Sequence, residues 1–137
     1  MEVCLPSGYD ERRCTDSASN QSTQSRLKWE ATVKQINLYK ENDFSEKAFK
    51  KLLVHDSPYF KIINFNFRAG QELPVHSHDI EGQLSLVILE GEGEFLGEGD
   101  TTLPAKPGDV VISEIAEPHG LRAKTDLRLL VTIAPPI

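Results

Sequence analysis

Two histidines one residue apart, His76 and His78, carry the clearest chemistry in this chain. The stretch around them reads as a β-strand, and strand side chains alternate between faces, so residues two apart share one. Two imidazoles on one face can bind one ion, because the imidazole nitrogen is the commonest metal ligand in proteins. A pair of solvated surface histidines is the competing reading of the pair alone. The only other histidines are His55 and His119. Cys4 and Cys14 lie in the N-terminal stretch without CxxC or paired zinc spacing, so they read as free thiols.

These residues need elements to position them. The chain has 137 residues, enough for one domain plus an appendage. Hydrophobic content of 39% and charged content of 26% fit a soluble globular protein. No apolar run reaches the ~20 residues of a membrane span, and the first residues lack a secretory leader, so a cytoplasmic location is expected. A net charge of −6 and a pI near 5.2 argue against nucleic acid or an anionic membrane as partner.

Composition shifts near residue 28. The first 28 residues hold seven Ser or Thr, few apolar groups, and four acids against four bases. Such a segment cannot bury enough apolar surface to offset its ordering entropy, so residues 1–30 are expected to be a disordered or loosely docked tail. Residues 31–137 are expected to form the folded domain and to carry the whole net charge. Trp29, at its edge, reads as a packing residue.

From there the pattern is one of short β-like runs, at 33–39, 52–55, 59–67, 84–89, 93–96, 110–115, 118–123 and 127–133. One helical turn is expected within 40–51. Strands at this spacing, punctuated by Gly and Pro, argue for an all-β sandwich or barrel. The Glu- and Gly-rich stretches 90–94 and 97–100 read as turns of an exposed hairpin, with solvated carboxylates rather than a calcium or phosphate loop. Just before them, Leu84, Leu86 and Ile88 share one strand face and Gln83, Ser85, Val87 and Leu89 the other. Both faces are apolar, which predicts burial on both sides and a homodimer. His55 reads as a surface or strand-end residue.

Gly70-x5-His76-x-His78-x4-Gln83, followed by LSLVILEGEGEF, resembles the first motif of the cupin superfamily. Pro107-Gly108-Asp109-Val110-Val111-Ile112 and Pro118-His119-Gly120 resemble the second, with Gly108 and His119 at the family's separation. The departures are specific. Gln83 stands where the family has a metal-binding Glu, and the strand from there to Gly91 is one residue longer than the pattern. Glu114, Ala116 and Ala123 replace the Pro, Gly and Asn of the second motif. Glu81, two residues before Gln83, is a competing candidate.

The resemblance implies a cupin double-stranded β-helix, a jelly-roll-like conical barrel, over the folded part. It implies one divalent transition metal (Fe, Mn, Ni, Zn or Cu) held by His76, His78, His119 and Gln83. Gln83 is either a direct ligand or a hydrogen-bond partner of one. Replacing Glu by Gln leaves the site one unit more positive and so favours an anionic ligand. The function implied is a small cupin acting on or binding a small oxygenated metabolite, through a dioxygenase or isomerase-like reaction. Acid–base help from Glu81 or Glu114 depends on either facing the lumen. The stretch HSHDIEGQLSLV also resembles the sugar-binding domain of AraC-type regulators, which implies a non-enzymatic binding or sensing module instead. Catalytic residues are not assigned by sequence, because this fold hosts many functions.

Overall fold

A computed structural model describes residues 32–137. The expected tail, Cys4, Cys14 and Trp29 lie outside the described residues. One compact unit spans Asn37–Ile137. It opens with a short helix α1 (Leu38–Glu41) and continues as β1 (Lys50–Asp56), β2 (Lys61–Phe67), β3 (Glu72–His76), β4 (Gln83–Glu90) and β5 (Gly93–Leu96). Then come β6 (Thr102–Ala105), β7 (Val110–Glu114), β8 (His119–Ala123) and β9 (Leu127–Ala134). The strands form two antiparallel sheets, one of five in the order β1-β2-β9-β4-β7 and one of four in the order β3-β8-β5-β6.

The sheets pack through alternate residues. Ile63, Phe65 and Phe67 of β2, Leu84, Leu86 and Ile88 of β4, and Leu127, Leu129, Val131 and Ile133 of β9 supply the buried face of the larger sheet. Leu121 and Ala123 of β8 with Ala105 of β6 face them from the smaller one. Register follows from this burial: slipping β4 by one residue would exchange three buried aliphatic side chains for Gln83, Ser85 and Val87. At about 1.5–3 kcal/mol for each fully buried aliphatic side chain, no single polar contact could offset that loss.

Two local expectations are corrected. Residues 33–39 do not form a strand: 33–37 have no regular structure, and Asn37 caps α1, its side chain accepting from the Tyr39 and Lys40 amides. The cap oxygen satisfies amides that a helix start leaves orphaned, which outweighs weak alternation. The stretch 90–94 is a corner rather than a hairpin, since β4 and β5 belong to different sheets. Gly91 turns it with φ +83°, and a methyl there would fall 1.8 Å from the Asp126 carbonyl oxygen. The stretch 97–100 is a hairpin turn as expected, joining β5 to β6, with the Gly97 amide donating to Thr101 at 2.9 Å. Strand β6 escaped prediction because it is four residues long and contains Pro104, which suits only an edge.

Among the described residues, the outer face of the larger sheet is covered on one half only. Residues 38–44 lie over β2 and β9 and are held there by Asn42, Asn64, Asn66 and Arg128, all buried. The other half, β4 and β7, leaves Val110 58% and Ile112 68% exposed. Val87 and Leu89 are half-buried, so the expected two-sided burial of β4 is complete on its inner face alone.

Candidate metal centre

His76 and His119 are directly paired across β3 and β8. A bulge in β3 between Leu73 and His76 sets this register, and Gly120 lets the strands close: a methyl there would meet the Leu73 carbonyl oxygen at 2.7 Å. The His76 and His119 ring centres are 4.7 Å apart, and His78 stands 5.4 Å from His76. Rings bound to one ion through nitrogens at about 2.1 Å have centres about 4.5–5.2 Å apart.

The strand premise for His78 does not hold. β3 ends at His76, and His78 sits beyond it in a turn. Its amide donates to the Ile115 carbonyl at 3.2 Å, and its carbonyl accepts from Ile80 at 2.8 Å. The ring reaches His76 through this turn, not through pleat parity. Gly82 follows in the same turn, where a Cβ would lie 2.4 Å from Pro135 Cδ.

The two strand histidines are anchored alike. His76 Nδ1 donates to the Pro74 carbonyl at 2.8 Å, and His119 Nδ1 donates to the Glu117 carbonyl at 2.7 Å. In each the acceptor lies two residues upstream. A carbonyl only accepts, so Nδ1 carries the proton, and in a neutral ring Nε2 keeps its lone pair. No partner for either Nε2 is present among the described residues. Burial lowers the His119 pKa below 6.5, and the neighbouring His76 and His78 lower it further, against the opposing effect of the Glu117 carbonyl. A ring held neutral with a free Nε2 is in the form a metal takes.

The donor set therefore fits a divalent transition metal in chemistry. As placed, however, no three His, Cys, Asp or Glu side chains among the described residues stand together at metal-binding distance. A ligand set needs the exposed His78 ring to swing toward the other two.

Gln83 is elsewhere. It pairs with Glu114 across β4 and β7, and its amide donates to the Glu114 carboxylate at 3.0 Å. Both side chains are exposed, on the face of the sheet turned from the core. Glu81 is exposed in the turn before β4. Glu114 thus does not face the lumen. His55 packs its ring 4.9 Å from Phe60 on the β1–β2 hairpin. The carbonyl anchors at Pro74 and Glu117 went unforeseen in the sequence, because any residue supplies a carbonyl. A groove of about 360 Å³ lined by Glu92, Pro104, Lys106 and Lys124 lies at the other end of β8, where Ala123 pairs with Gly93.

The cupin domain family matches residues 64–133. An RmlC-like cupin protein from Desulfovibrio desulfuricans is 56% identical, with a TM-score of 0.74, and the match covers 77% of this chain and 99% of that one. The chain belongs to the cupin family, and its two sheets are the cupin double-stranded β-helix. Ectoine synthase from P. lautus is 25% identical with a TM-score of 0.59, covering 77% of this chain and 80% of that one. KdgF from Halomonas sp. is 22% identical with a TM-score of 0.60, covering 70% and 90% respectively. No match is found among curated proteins.

Proposed function

We propose that this cupin is a metal-dependent enzyme acting on a small oxygenated metabolite, with His76, His78 and His119 holding one divalent transition metal. The observation that carries the reading is the twin anchoring of His76 and His119, each with Nδ1 on a carbonyl two residues upstream and Nε2 free. A structural histidine gains nothing from a free lone pair in a half-closed space; a ligand needs one. A bound metal would supply Lewis acidity toward substrate oxygens. The protein's part is to hold the rings, keep His119 neutral and exclude water from the buried side. Ectoine synthase, of the same fold, is a small-molecule enzyme by name, which supports this class over a sensing module.

A dioxygenase or isomerase-like reaction fits three imidazoles and open positions, and oxygen uptake with diketones, thiols and phenols separates the two. We place the protein in the cytoplasm and as a homodimer. The dimer reading rests on β7, an edge strand whose Val110 and Ile112 are exposed beside half-buried Val87. An Ile112→Asp variant should run as a monomer in light scattering where the wild type runs as a dimer.

The metal reading is tested by elemental analysis and loading. Purified protein should carry or take up about one Fe, Mn, Ni, Zn or Cu per chain. The His76→Ala/His78→Ala variant should lose it and stay folded by circular dichroism. Wild-type protein that refuses all five metals ends the enzyme reading in favour of a small-molecule binding or sensing module.

A further inference from the structure

The segment over the outer face of β2 and β9 is held mainly by its main chain. Arg128 donates to the Leu38 carbonyl at 3.2 Å and to the Asn42 carbonyl at 3.5 Å. Asn66 donates to the Asp43 carbonyl at 2.9 Å, and Gln71 to the Ser45 carbonyl at 2.7 Å. Every residue has a carbonyl, so these four bonds suit any sequence that follows the same path. Three side chains are read individually. Asn42 is buried and donates to Asn64 at 2.7 Å. The Arg128 guanidinium lies 4.3 Å from the Tyr39 ring centre, and Phe44 meets Arg128 at 5.2 Å and Arg68 at 4.9 Å. Main-chain bonds for affinity and a few side-chain contacts for selectivity are the pattern of peptide recognition.

The segment buries little carbon. From 38 to 45, Asn42 alone is fully buried; Tyr39 is 57% exposed and Phe44 half-buried. Apolar burial therefore contributes far less here than on the inner face of the same two strands, where Ile63, Phe65, Leu127 and Leu129 lie in the core. The polar groups beneath the segment would exchange their bonds to it for bonds to water on release. An element held in this way opens at lower free energy than the strands it covers. We propose that the outer face of β2 and β9 is a peptide-binding groove, filled in cis by residues 38–45, and that this segment leaves it as a unit while the sheets stay folded. The peptide it fits has an asparagine three residues after one aromatic and two before another, as in Tyr39, Asn42 and Phe44. None of these groups belongs to the histidine cluster, so the groove is independent of any metal.

The test has two arms, both on the full chain. In native-state hydrogen exchange, the Glu41 and Asn42 amides, bonded to the Asn37 and Leu38 carbonyls, should exchange at least about 100-fold faster than the amides of β9. Exchange in step with β9 means that segment and sheet unfold together, and it overturns release as a unit. In the second arm, a fluorescent peptide of residues 37–47 is titrated to about 1 mM against wild type and against Asn42→Ala/Phe44→Ala, whose own segment competes less well for the groove. The peptide should bind this variant at least about tenfold more tightly than wild type. The same peptide carrying Asn42→Ala and Phe44→Ala should bind neither, and adding Arg128→Ala to the variant should remove binding. Where the double variant does not fold, Phe44→Ala alone takes its place. No binding to the loosened chain, equal binding of the two peptides, or binding that survives Arg128→Ala overturns the groove.

Discussion

Two polar clusters lie in this β-structure, and they are finished differently. Around Arg128 every group closes on another. The guanidinium donates to Glu90 at 2.7 Å and to the Leu38 carbonyl at 3.2 Å, and it lies 4.3 Å from the Tyr39 ring centre. Asn42 donates to Asn64 at 2.7 Å, Asn64 to Asn66 at 3.0 Å and to the Leu129 carbonyl at 2.9 Å, and Asn66 to the Asp43 carbonyl at 2.9 Å. Around His119, the His76 and His119 rings are held by one nitrogen each, and their other nitrogens are left without protein partners among the described residues. A satisfied network rigidifies and specifies packing; unpaired acceptor nitrogens in a half-enclosed space do not. The first cluster holds the 38–44 segment to the sheet, and the second is the site proposed above for chemistry.

The contrast is broken most strongly at Arg128. Arg128→Ala removes the guanidinium's hydrogen bonds to the Leu38 carbonyl and to half-exposed Glu90 and should cost about 3 kcal/mol in urea unfolding, the upper end for hydrogen bonds to a charged group. Asn64→Ala comes next, at about 2 kcal/mol, since it strands the Asn42 amide and the Asn66 oxygen in a dry setting. His76→Ala should cost less than about 1 kcal/mol, because the ring is half-buried and its one bond is to a carbonyl near solvent. A histidine variant as costly as Asn64→Ala would make the second cluster structural and erase the distinction.

The smallest effect belongs to the exposed counterpart of the Arg128 anchor. Asp126 accepts from the Ala69 amide at 3.1 Å and from Arg68 at 2.6 Å, and Arg68 in turn lies over Phe44. These bonds, the Ala69 amide first, hold the Asp126 carboxyl below 3.8. The folded state therefore keeps the carboxylate charged where the unfolded chain would protonate it. Its stabilisation is present above pH 3.8 and fades as pH falls below that value. Wild type and Asp126→Asn should differ slightly in unfolding midpoint at neutral pH and converge in acid; a gap that widens in acid would reverse the sign.

The sequence by itself determined the class of the fold and most of its strands. Leu84, Leu86 and Ile88 alternate with the period of a strand, and Gly at the corners marks where the chain must turn. It also singled out three histidines, because the spacing of His76, His78 and His119 carries the family pattern. Tertiary structure decided the rest. That His78 approaches His76 through a turn, that Nδ1 of each strand histidine is taken by a carbonyl, and that Asn64 and Asn66 are buried against residues 38–44 depend on groups distant in the chain or on main-chain atoms common to every residue. Gln83 shows the difference at its sharpest. Counting residues from His78 sets it beside the histidines, but a one-residue shift in β4 and the burial of three aliphatic neighbours turn it to the opposite face. Spacing is a property of the chain; the face a strand residue occupies is decided by what the whole sheet must bury.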